Sequence, residues 1–373
     1  MSDLLYSEVE EQLRASVRAL LAAHAPWTAV LARTESDEPY DPALWTALAA
    51  DLGAAGLAVP AAAGGQGASW REMAVVAEEL GRSLAATPFL GSAVIATALV
   101  ARVGANDLLR ALATGQQSAA VAVPLSLGPG ARFPADVQSA DGLLDGAVRG
   151  VADAATADHL LVAATGPDGP GIYLLAGAAA QRATVVSLDL TRPLSDLTFH
   201  AAPARQLLGG DAARQALDAA LVTGAALLAS EQVGLAERCL EMTVEYLKVR
   251  YQFGRPIGSY QALKHRAADV WAGITQARAV ARYAAECLAT GDPDTAVAAS
   301  LAQAYTSAVA VKAAEECVQL HGGIGFTWEH PAHLYLKRAK ADAIALGTAG
   351  AHRDRLAQLV GLPASAVSDA GCA

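Results

Sequence analysis

Residues 250–265 read RYQFGRPIGSYQALKH and separate two long helical patterns. Apolar residues recur at steps of three and four on both sides of this stretch, which predicts two packed helices joined by a loop. Its glycines and proline would suffice for a simple turn. Here they alternate with arginines, glutamines and aromatic residues. This mixture favours contact with a polar, partly aromatic ligand.

Composition limits the classes of protein that the chain can belong to. Its 373 residues exceed one ordinary domain and fit two or three. Apolar residues make up 53% of the chain, alanine is abundant and aromatic residues are few, so we expect a mostly helical protein with closely packed small-residue faces. The net charge of −10 argues against nucleic acid as a main partner, because phosphate binding needs a concentrated positive surface.

The cysteines and the hydropathy pattern predict no metal centre and no membrane span. Cys239, Cys287, Cys317 and Cys372 show no CxxC spacing, so we expect neither a disulfide framework nor a metal site. The N-terminus is acidic and amphipathic, unlike a signal peptide. No uncharged apolar run approaches the roughly 20 residues of a membrane span. We therefore expect a soluble, cytoplasmic protein.

The pattern along the chain is helical, then β, then helical. We predict an N-terminal helical domain at 1–115, a middle β domain at 116–208 and a C-terminal helical domain at 209–373. The middle part has short β-like runs separated by turn residues about every 10 residues, which is typical of a sandwich or barrel. These runs lie at 119–123, 147–151, 159–164, 171–175, 184–187 and 197–199.

A glycine-rich segment, GGQGAS at 64–69, precedes one of the N-terminal helices. It lacks the lysine and the serine or threonine of a P-loop, and no clear strand precedes it. We expect a tight structural turn, with a phosphate-cradling loop as the alternative.

Several phrases resemble the acyl-CoA dehydrogenase family of flavoproteins over nearly the whole chain. Besides 250–265, the most specific is QLHGGIGF at 319–326, and the N-terminal part adds GLAVP at 56–60 and EELGR at 78–82. The resemblance implies a mainly α fold with a β insert: an N-terminal helical domain, a middle β-barrel or sandwich, and a C-terminal four-helix bundle. It also implies FAD as cofactor.

In this family a carboxylate removes the α-proton of an acyl-CoA while the β-hydrogen leaves as hydride to the flavin. The FAD lies across a subunit boundary. Its isoalloxazine contacts the middle domain of one chain, and its pyrophosphate and adenosine contact the C-terminal domain of the neighbour. A chain of this family therefore contributes two separate half-sites.

By resemblance, Arg250, Gln252, Phe253 and Gln261 form one half of the grip on the neighbour's FAD. Arginine offers a planar fork of donors to a pyrophosphate, and phenylalanine offers a flat apolar face to an aromatic ring. The alternative is a salt-bridged surface arginine beside a core phenylalanine.

Gln319, Gly322 and Gly323 form the second half of the grip by the same resemblance. Glycine permits close backbone approach, and glutamine both donates and accepts hydrogen bonds. The alternative is a Gly-Gly helix terminus. His321 is either a ligand contact or a residue that caps or packs.

The departures from the family concern the base and the chain's own flavin pocket. Leu346 stands where many members place the catalytic glutamate, and Gly224 falls close to the position that other members use. At two positions of the flavin-covering phrase the chain has Gly150 and Ala152. The catalytic base is therefore unknown.

Glu231 is the candidate that would make the chain catalytic, since it lies two helical turns after Gly224 on roughly the same face. In an apolar setting we expect its pKa to be raised. The alternative is a polar residue bonded to a neighbouring arginine. Residues 352–355, HRDR, either face CoA phosphates or the partner's flavin, or form a solvated or interface surface.

Our interpretation is one subunit of a heteromeric, FAD-dependent acyl-CoA dehydrogenase of α2β2 type. It resembles the paired enzymes that actinobacteria use on bulky steroid-CoA thioesters. A second acyl-CoA dehydrogenase subunit supplies the base and the isoalloxazine pocket, and an electron-transfer flavoprotein or a similar acceptor removes the electrons. The alternatives are a homo-oligomeric enzyme that uses a base such as Glu231 and a purely structural partner subunit.

Overall fold

Helices form the first part of the chain in the computed structural model, which describes residues 4–362. Two of them begin with capping boxes, in which Ser7 pairs with Glu10 and Ser69 pairs with Glu72. A buried π-helical segment, Phe89–Ala96, runs directly into the fifth helix. The helices are α1 (Glu8–His24), α2 (Trp27–Thr34), α3 (Pro42–Thr46), α4 (Trp70–Ser83), α5 (Thr97–Val103) and α6 (Asn106–Ala113).

The middle part is an eight-stranded sheet of order β6-β7-β3-β2-β4-β5-β8, with β1 parallel to β4. Each run predicted as β overlaps one of these strands. Two strands were not predicted, β2 and β8, because they are short and carry exposed polar residues. The strands are β1 (Ala119–Ala122), β2 (Val137–Ala140), β3 (Leu143–Ala152), β4 (His159–Gly166), β5 (Gly169–Ala176), β6 (Gln181–Val185), β7 (Leu194–Pro203) and β8 (Arg205–Gly209).

Strand β4 shows why the middle runs are so apolar. Leu161 and Ala163 face the large core shared with the helices, whereas Leu160 and Val162 face a second core inside the β domain. Alternate side chains point to opposite faces of a strand, so a strand buried on both faces must be apolar throughout. The sheet is therefore packed against the helices on one face.

The last part is a helical bundle built on a central helix. That helix is almost completely buried from Ala220 to Ala236. Among residues 4–362 it alone is long and apolar enough to cross a membrane, but 94% of its apolar window lies inside the protein, as in the core helix of a bundle. The helices are α7 (Gly210–Val249), α8 (Gln261–Thr290), α9 (Thr295–His321), α10 (Ala332–Asp342) and α11 (Ala349–Leu359).

The fold confirms the predicted class, a mainly helical chain with a β insert and a C-terminal bundle. The domain limits at 115 and 208 stay a prediction. Cys239, Cys287 and Cys317 are free and buried, and Cys372 lies outside the described residues. In segment 64–69 the N–H groups of residues 66–68 all donate to carbonyls of residues 56–59, so this loop is folded back on its own chain.

Helices α4 and α7 cross at a point where only glycine fits. A Cβ atom on Gly234 would lie 1.8 Å from the carbonyl oxygen of Glu78, and one on Gly81 would lie 1.9 Å from that of Glu231. Two helix backbones are thus in direct contact. This contact fixes the N-terminal helices on the bundle.

We expect Gly234→Ala to lower the free energy of unfolding by about 1–3 kcal/mol, because the added methyl group forces the two backbones apart. Gly273→Ala in α8 is the matched control, since its Cβ would lie 3.6 Å from the nearest atom of Val309. That substitution should be neutral or stabilising by up to about 1 kcal/mol, the gain in helix propensity. Denaturant unfolding of both variants checks this. Equal stability of the two variants would contradict the crossing as described.

Candidate functional site

The loop after α7 projects from the end of the bundle. Tyr251–Gln252 and Arg255–Pro256 pair as a two-residue hairpin, and both turn residues, Phe253 and Gly254, have positive φ (52° and 76°). Positive φ at both turn positions is typical of a type I′ hairpin. The side chain of Phe253 is 90% exposed. The turn thus holds an apolar ring in solvent, where it is free to contact another molecule.

A second projecting turn follows α9. Gly322 has φ 63° and ψ −140°, a conformation that essentially only glycine adopts. No atom outside its immediate chain neighbours lies within 4 Å of a Cβ built on Gly322 or Gly323, so both backbones face open space. Gln319 is exposed on the last turn of α9, and Phe326 beyond the glycines is 75% exposed.

The two projecting segments lie at the same end of the bundle. Tyr246, on the last turn of α7, stacks on His321, the last residue of α9, with ring centroids 4.6 Å apart. His321 is buried and packs, as one of its two predicted roles requires. The structure thus brings the 250–261 and 319–323 segments next to each other.

The predicted FAD-contact side chains at this end have no partner of their own. Within residues 4–362, the side chains of Arg250, Gln252, Gln261 and Gln319 make no hydrogen bond or ion pair, and all four are exposed. Free guanidinium and amide donors beside an exposed aromatic ring fit an anionic, partly aromatic group such as FAD. Their assignment as cofactor contacts stays a prediction.

Leu346 and Gly224, which the resemblance places at or close to the positions of the base, face each other inside the protein. A Cβ atom on Gly224 would lie 2.8 Å from Ile95 Cγ1 and 3.0 Å from Leu346 Cδ1. Leu346 is only 1% exposed. An isoleucine and a leucine therefore fill the space that a carboxylate would need. Neither side chain can ionise or take a proton.

The chain's own backbone also bridges the cleft between the β domain and the bundle. Leu125 donates its N–H to the carbonyl of Gly150 (2.9 Å) and accepts from the N–H of Leu346 (2.7 Å). The adjoining loop is held by Asp218, which accepts from Gly130 N–H (2.5 Å) and forms an ion pair with Arg355 (3.0 Å). Residues 125–130 thus connect the β domain to the bundle through hydrogen bonds within the same chain.

Glu231 lies buried between two arginines. Its carboxylate accepts hydrogen bonds from Arg338 Nη1 (2.6 Å) and from Arg192. Arg338 also donates to Asp189 (2.6 Å) and to the Thr191 hydroxyl (2.7 Å). Burial would raise the pKa of Glu231, but the guanidinium groups outweigh it and lower the pKa. The expectation of a raised pKa is therefore wrong. A carboxylate with a lowered pKa is a weaker base.

Two buried aspartates beside this cluster were not found from the sequence. Burial raises the pKa of Asp153 to about 6, although its carboxylate accepts from Gly91 N–H at 2.8 Å. Burial and the Glu231 carboxylate raise the pKa of Asp342 to about 8. Asp342 follows Arg338 by four residues on α10, the only local signal for the cluster in the sequence.

Residues 352–355 do not form a uniform cationic surface. His352 is buried and its Nε2 lies 2.9 Å from the carbonyl oxygen of Leu346, while burial lowers its pKa. Arg355 is turned inward to Asp218. Arg353, in contrast, is exposed. It lines a groove of about 400 Å³ between α8, α9 and α11.

Comparison with known proteins gives a consistent result over most of the chain. Residues 7–115 match the model of the acyl-CoA dehydrogenase N-terminal domain, and residues 204–361 match that of the C-terminal domain. Acyl-CoA dehydrogenase IpdE2 of Mycolicibacterium smegmatis is 38% identical over 342 residues, covering 91% of this chain and 95% of that protein.

Two solved structures of similar shape are complexes of paired subunits. The ChsE4-ChsE5 complex of Mycobacterium tuberculosis contains a chain with a TM-score of 0.86 and 26% identity, covering 98% of this chain and 100% of that one. The Tcur3481-Tcur3483 steroid ACAD contains one with a TM-score of 0.82 and 31% identity, covering 95% of this chain and 98% of that one.

We expect Asp342→Asn to flatten the dependence of stability on pH. Between an ordinary aspartate value of 3.8 and about 8, the folded protein holds a proton on Asp342 that the unfolded chain has released. The free energy of unfolding therefore falls as pH rises through this range. Asparagine stays neutral and removes this decline, so the variant should melt at a higher temperature than wild type, by more at pH 9 than at pH 5.

The control for this experiment is Asp168→Asn in the exposed turn between β4 and β5, which should follow wild type at each pH. Melting temperatures measured from pH 5 to 9 decide the outcome. Parallel curves for wild type and Asp342→Asn would show that Asp342 carries no buried proton.

Proposed function

Because this chain belongs to the acyl-CoA dehydrogenase family, we propose that it is the non-catalytic subunit of a heteromeric acyl-CoA dehydrogenase. Acyl-CoA dehydrogenases are FAD-dependent oxidoreductases. In this proposal the chain grips the FAD of a partner subunit, and that partner supplies the base and the isoalloxazine pocket. The observation that carries the proposal is the contrast between a closed cleft at Leu346 and an open, unpartnered surface at Arg250.

The closed cleft supports a role in trans. Ile95 and Leu346 fill the space at Gly224, and the Leu125 backbone spans the cleft to Gly150. A carboxylate side chain at position 224 would require both side chains to rearrange. In this proposal the chain does not use the half of the family's site that each chain normally builds for itself.

The distance along α7 supports the same conclusion. Positions 224 and 250 lie at two points of one continuous helix, roughly 40 Å apart at about 1.5 Å per residue. An extended dinucleotide is shorter than this. In this proposal a cofactor bound at Arg250 therefore places its reactive ring in another chain.

When bound, FAD supplies the hydride acceptor for removal of two hydrogens from an acyl-CoA. In this chain, Arg250 would bind the pyrophosphate oxygens, and Phe253 would cover an aromatic ring. Gln252, Gln261 and Gln319 would supply amide donors and acceptors, and Gly322 and Gly323 would let the backbone approach the ligand.

The relatives support a proposal for the partner and the substrate class. Since the similar structures include the ChsE4-ChsE5 complex and a steroid ACAD, we propose an α2β2 assembly acting on a bulky, steroid-derived acyl-CoA. We further propose a cytoplasmic location, with an electron-transfer flavoprotein or a similar protein as electron acceptor. Expressed alone, the chain should be colourless and inactive.

We expect Arg250→Ala to deplete the purified heteromer of FAD, because a doubly charged pyrophosphate would lose its bidentate partner. Lys248→Ala removes a positive charge two residues earlier and is the matched control, with FAD content expected to stay near wild type. FAD per heteromer is read from its visible absorbance after gel filtration. Full FAD content in Arg250→Ala would leave the chain a purely structural partner.

We expect Glu231→Gln to leave turnover per bound FAD unchanged while it lowers the melting temperature. Its carboxylate neutralises two buried guanidinium groups, and removing one partner of such a cluster costs about 3–5 kcal/mol. Steady-state kinetics normalised to FAD measure the first effect and thermal unfolding measures the second. A large loss of turnover at normal FAD content would instead identify Glu231 as a base and revive the homo-oligomeric alternative.

A further inference from the structure

Three aromatic rings form a continuous stack behind the projecting segments. Tyr246 stacks on His321 with centroids 4.6 Å apart and planes at 30°. His321 in turn lies against His330, at 4.2 Å and 38°. The rings belong to the end of α7, the end of α9 and the segment that leads into α10. The stack therefore crosses three separate elements.

Each of the first two rings is directly attached to one predicted half of the FAD grip. The carbonyl of Tyr246 accepts a hydrogen bond from the N–H of Arg250 at 2.9 Å. Tyr246 thus lies where α7 ends and the 250–261 loop begins. His321 is followed at once by Gly322 and Gly323. Moving one ring against the other would change the distance between the two segments.

His321 is fixed in orientation by polar contacts within the bundle. Its Nδ1 lies 2.6 Å from the carbonyl oxygen of Cys317, which only accepts, so Nδ1 donates. Burial opposes a charge on His321, but the Cys317 side chain and the carbonyls of Cys317 and Met242 raise its pKa. Met242 belongs to α7 and Cys317 to α9. The hydrogen bond to Cys317 thus orients His321 within α9, and its stacking on Tyr246 joins it to α7.

His330 completes the stack as a neutral ring. Its Nδ1 accepts the N–H of Ala332 at 3.2 Å. Burial, together with the nearby His321, lowers the pKa of His330 to about 4.

The rings of the stack are set behind the exposed contact residues. His321 is only 3% exposed and Tyr246 and His330 are partly buried, whereas Arg250, Phe253 and Gln319 are exposed. The Arg255 guanidinium lies over the Tyr260 ring at 3.9 Å, a contact within the loop. The stack forms part of the packing of α7 against α9, the two helices that carry the two segments.

We propose that Tyr246, His321 and His330 are positioning residues that set the spacing between the Arg250 loop and the Gly322–Gly323 turn for binding of a flavin dinucleotide. This rests on the proposed function, since it takes both segments as parts of one cofactor grip. The rings themselves need not touch the cofactor. They act by fixing the distance between the Arg250 loop and the Gly322–Gly323 turn.

The test compares Tyr246→Leu with Tyr246→Phe in the reconstituted heteromer. The FAD dissociation constant of each variant is measured at a temperature well below its melting temperature. Leucine removes the stack and should weaken FAD binding roughly fivefold or more, whereas phenylalanine keeps the ring and should restore wild-type affinity. His330→Leu, at the other end of the stack, is a second variant if Tyr246→Leu fails to fold.

The control for general destabilisation is Leu235→Ala, a fully buried α7 position about 16 Å from Tyr246 along the helix. It should lower the melting temperature and leave FAD affinity near wild type. An equal loss of affinity in Leu235→Ala, or an unchanged affinity in Tyr246→Leu, overturns the positioning role. If Arg250→Ala still loses FAD in that case, the proposed function stands; if it also retains FAD, the proposed function fails with it.

Discussion

Arg338 lies inside the protein and bonds groups from two distant parts of the chain. Its guanidinium reaches Asp189 and Thr191 in the connection between β6 and β7, and Glu231 in the central helix α7. A buried charge is tolerated only when it is paired and hydrogen-bonded, so these elements cannot separate without a large cost. This cluster therefore sets how the β domain sits on the bundle, and with it the cleft that Leu125 bridges.

The two regions of interest differ in the state of their polar groups. In the cleft, the N–H and carbonyl of Leu125 are both used by other parts of the same chain. At the end of the bundle, Arg250 and Gln319 remain exposed and unpaired within the described residues. Backbone groups that are already paired leave little for a ligand, whereas free donors in a rigid frame are available for one. A single chain thus combines a cleft whose backbone groups are paired with a surface whose donors are free.

The sequence predicted most of the fold because the signals involved are local. The spacing of apolar residues and the positions of turn residues were enough to predict the N- and C-terminal helical parts and most strands. Among the eight strands of the sheet they missed β2 and β8. The pKa of Glu231 was predicted in the wrong direction, because the residues that decide it, Arg192 and Arg338, are 39 and 107 positions away. The Tyr246–His321–His330 stack was missed for the same reason. Contacts between distant residues leave no period in the sequence.

The packing of Ile95, Gly224 and Leu346 also bears on how such a chain evolves. A side chain at position 224 would collide with both neighbours, and a glutamate at position 346 would be an unpaired charge with apolar surroundings. A carboxylate gained at either position would therefore need a second substitution, one that shortens Ile95 or supplies a partner at position 346, before it could be accommodated.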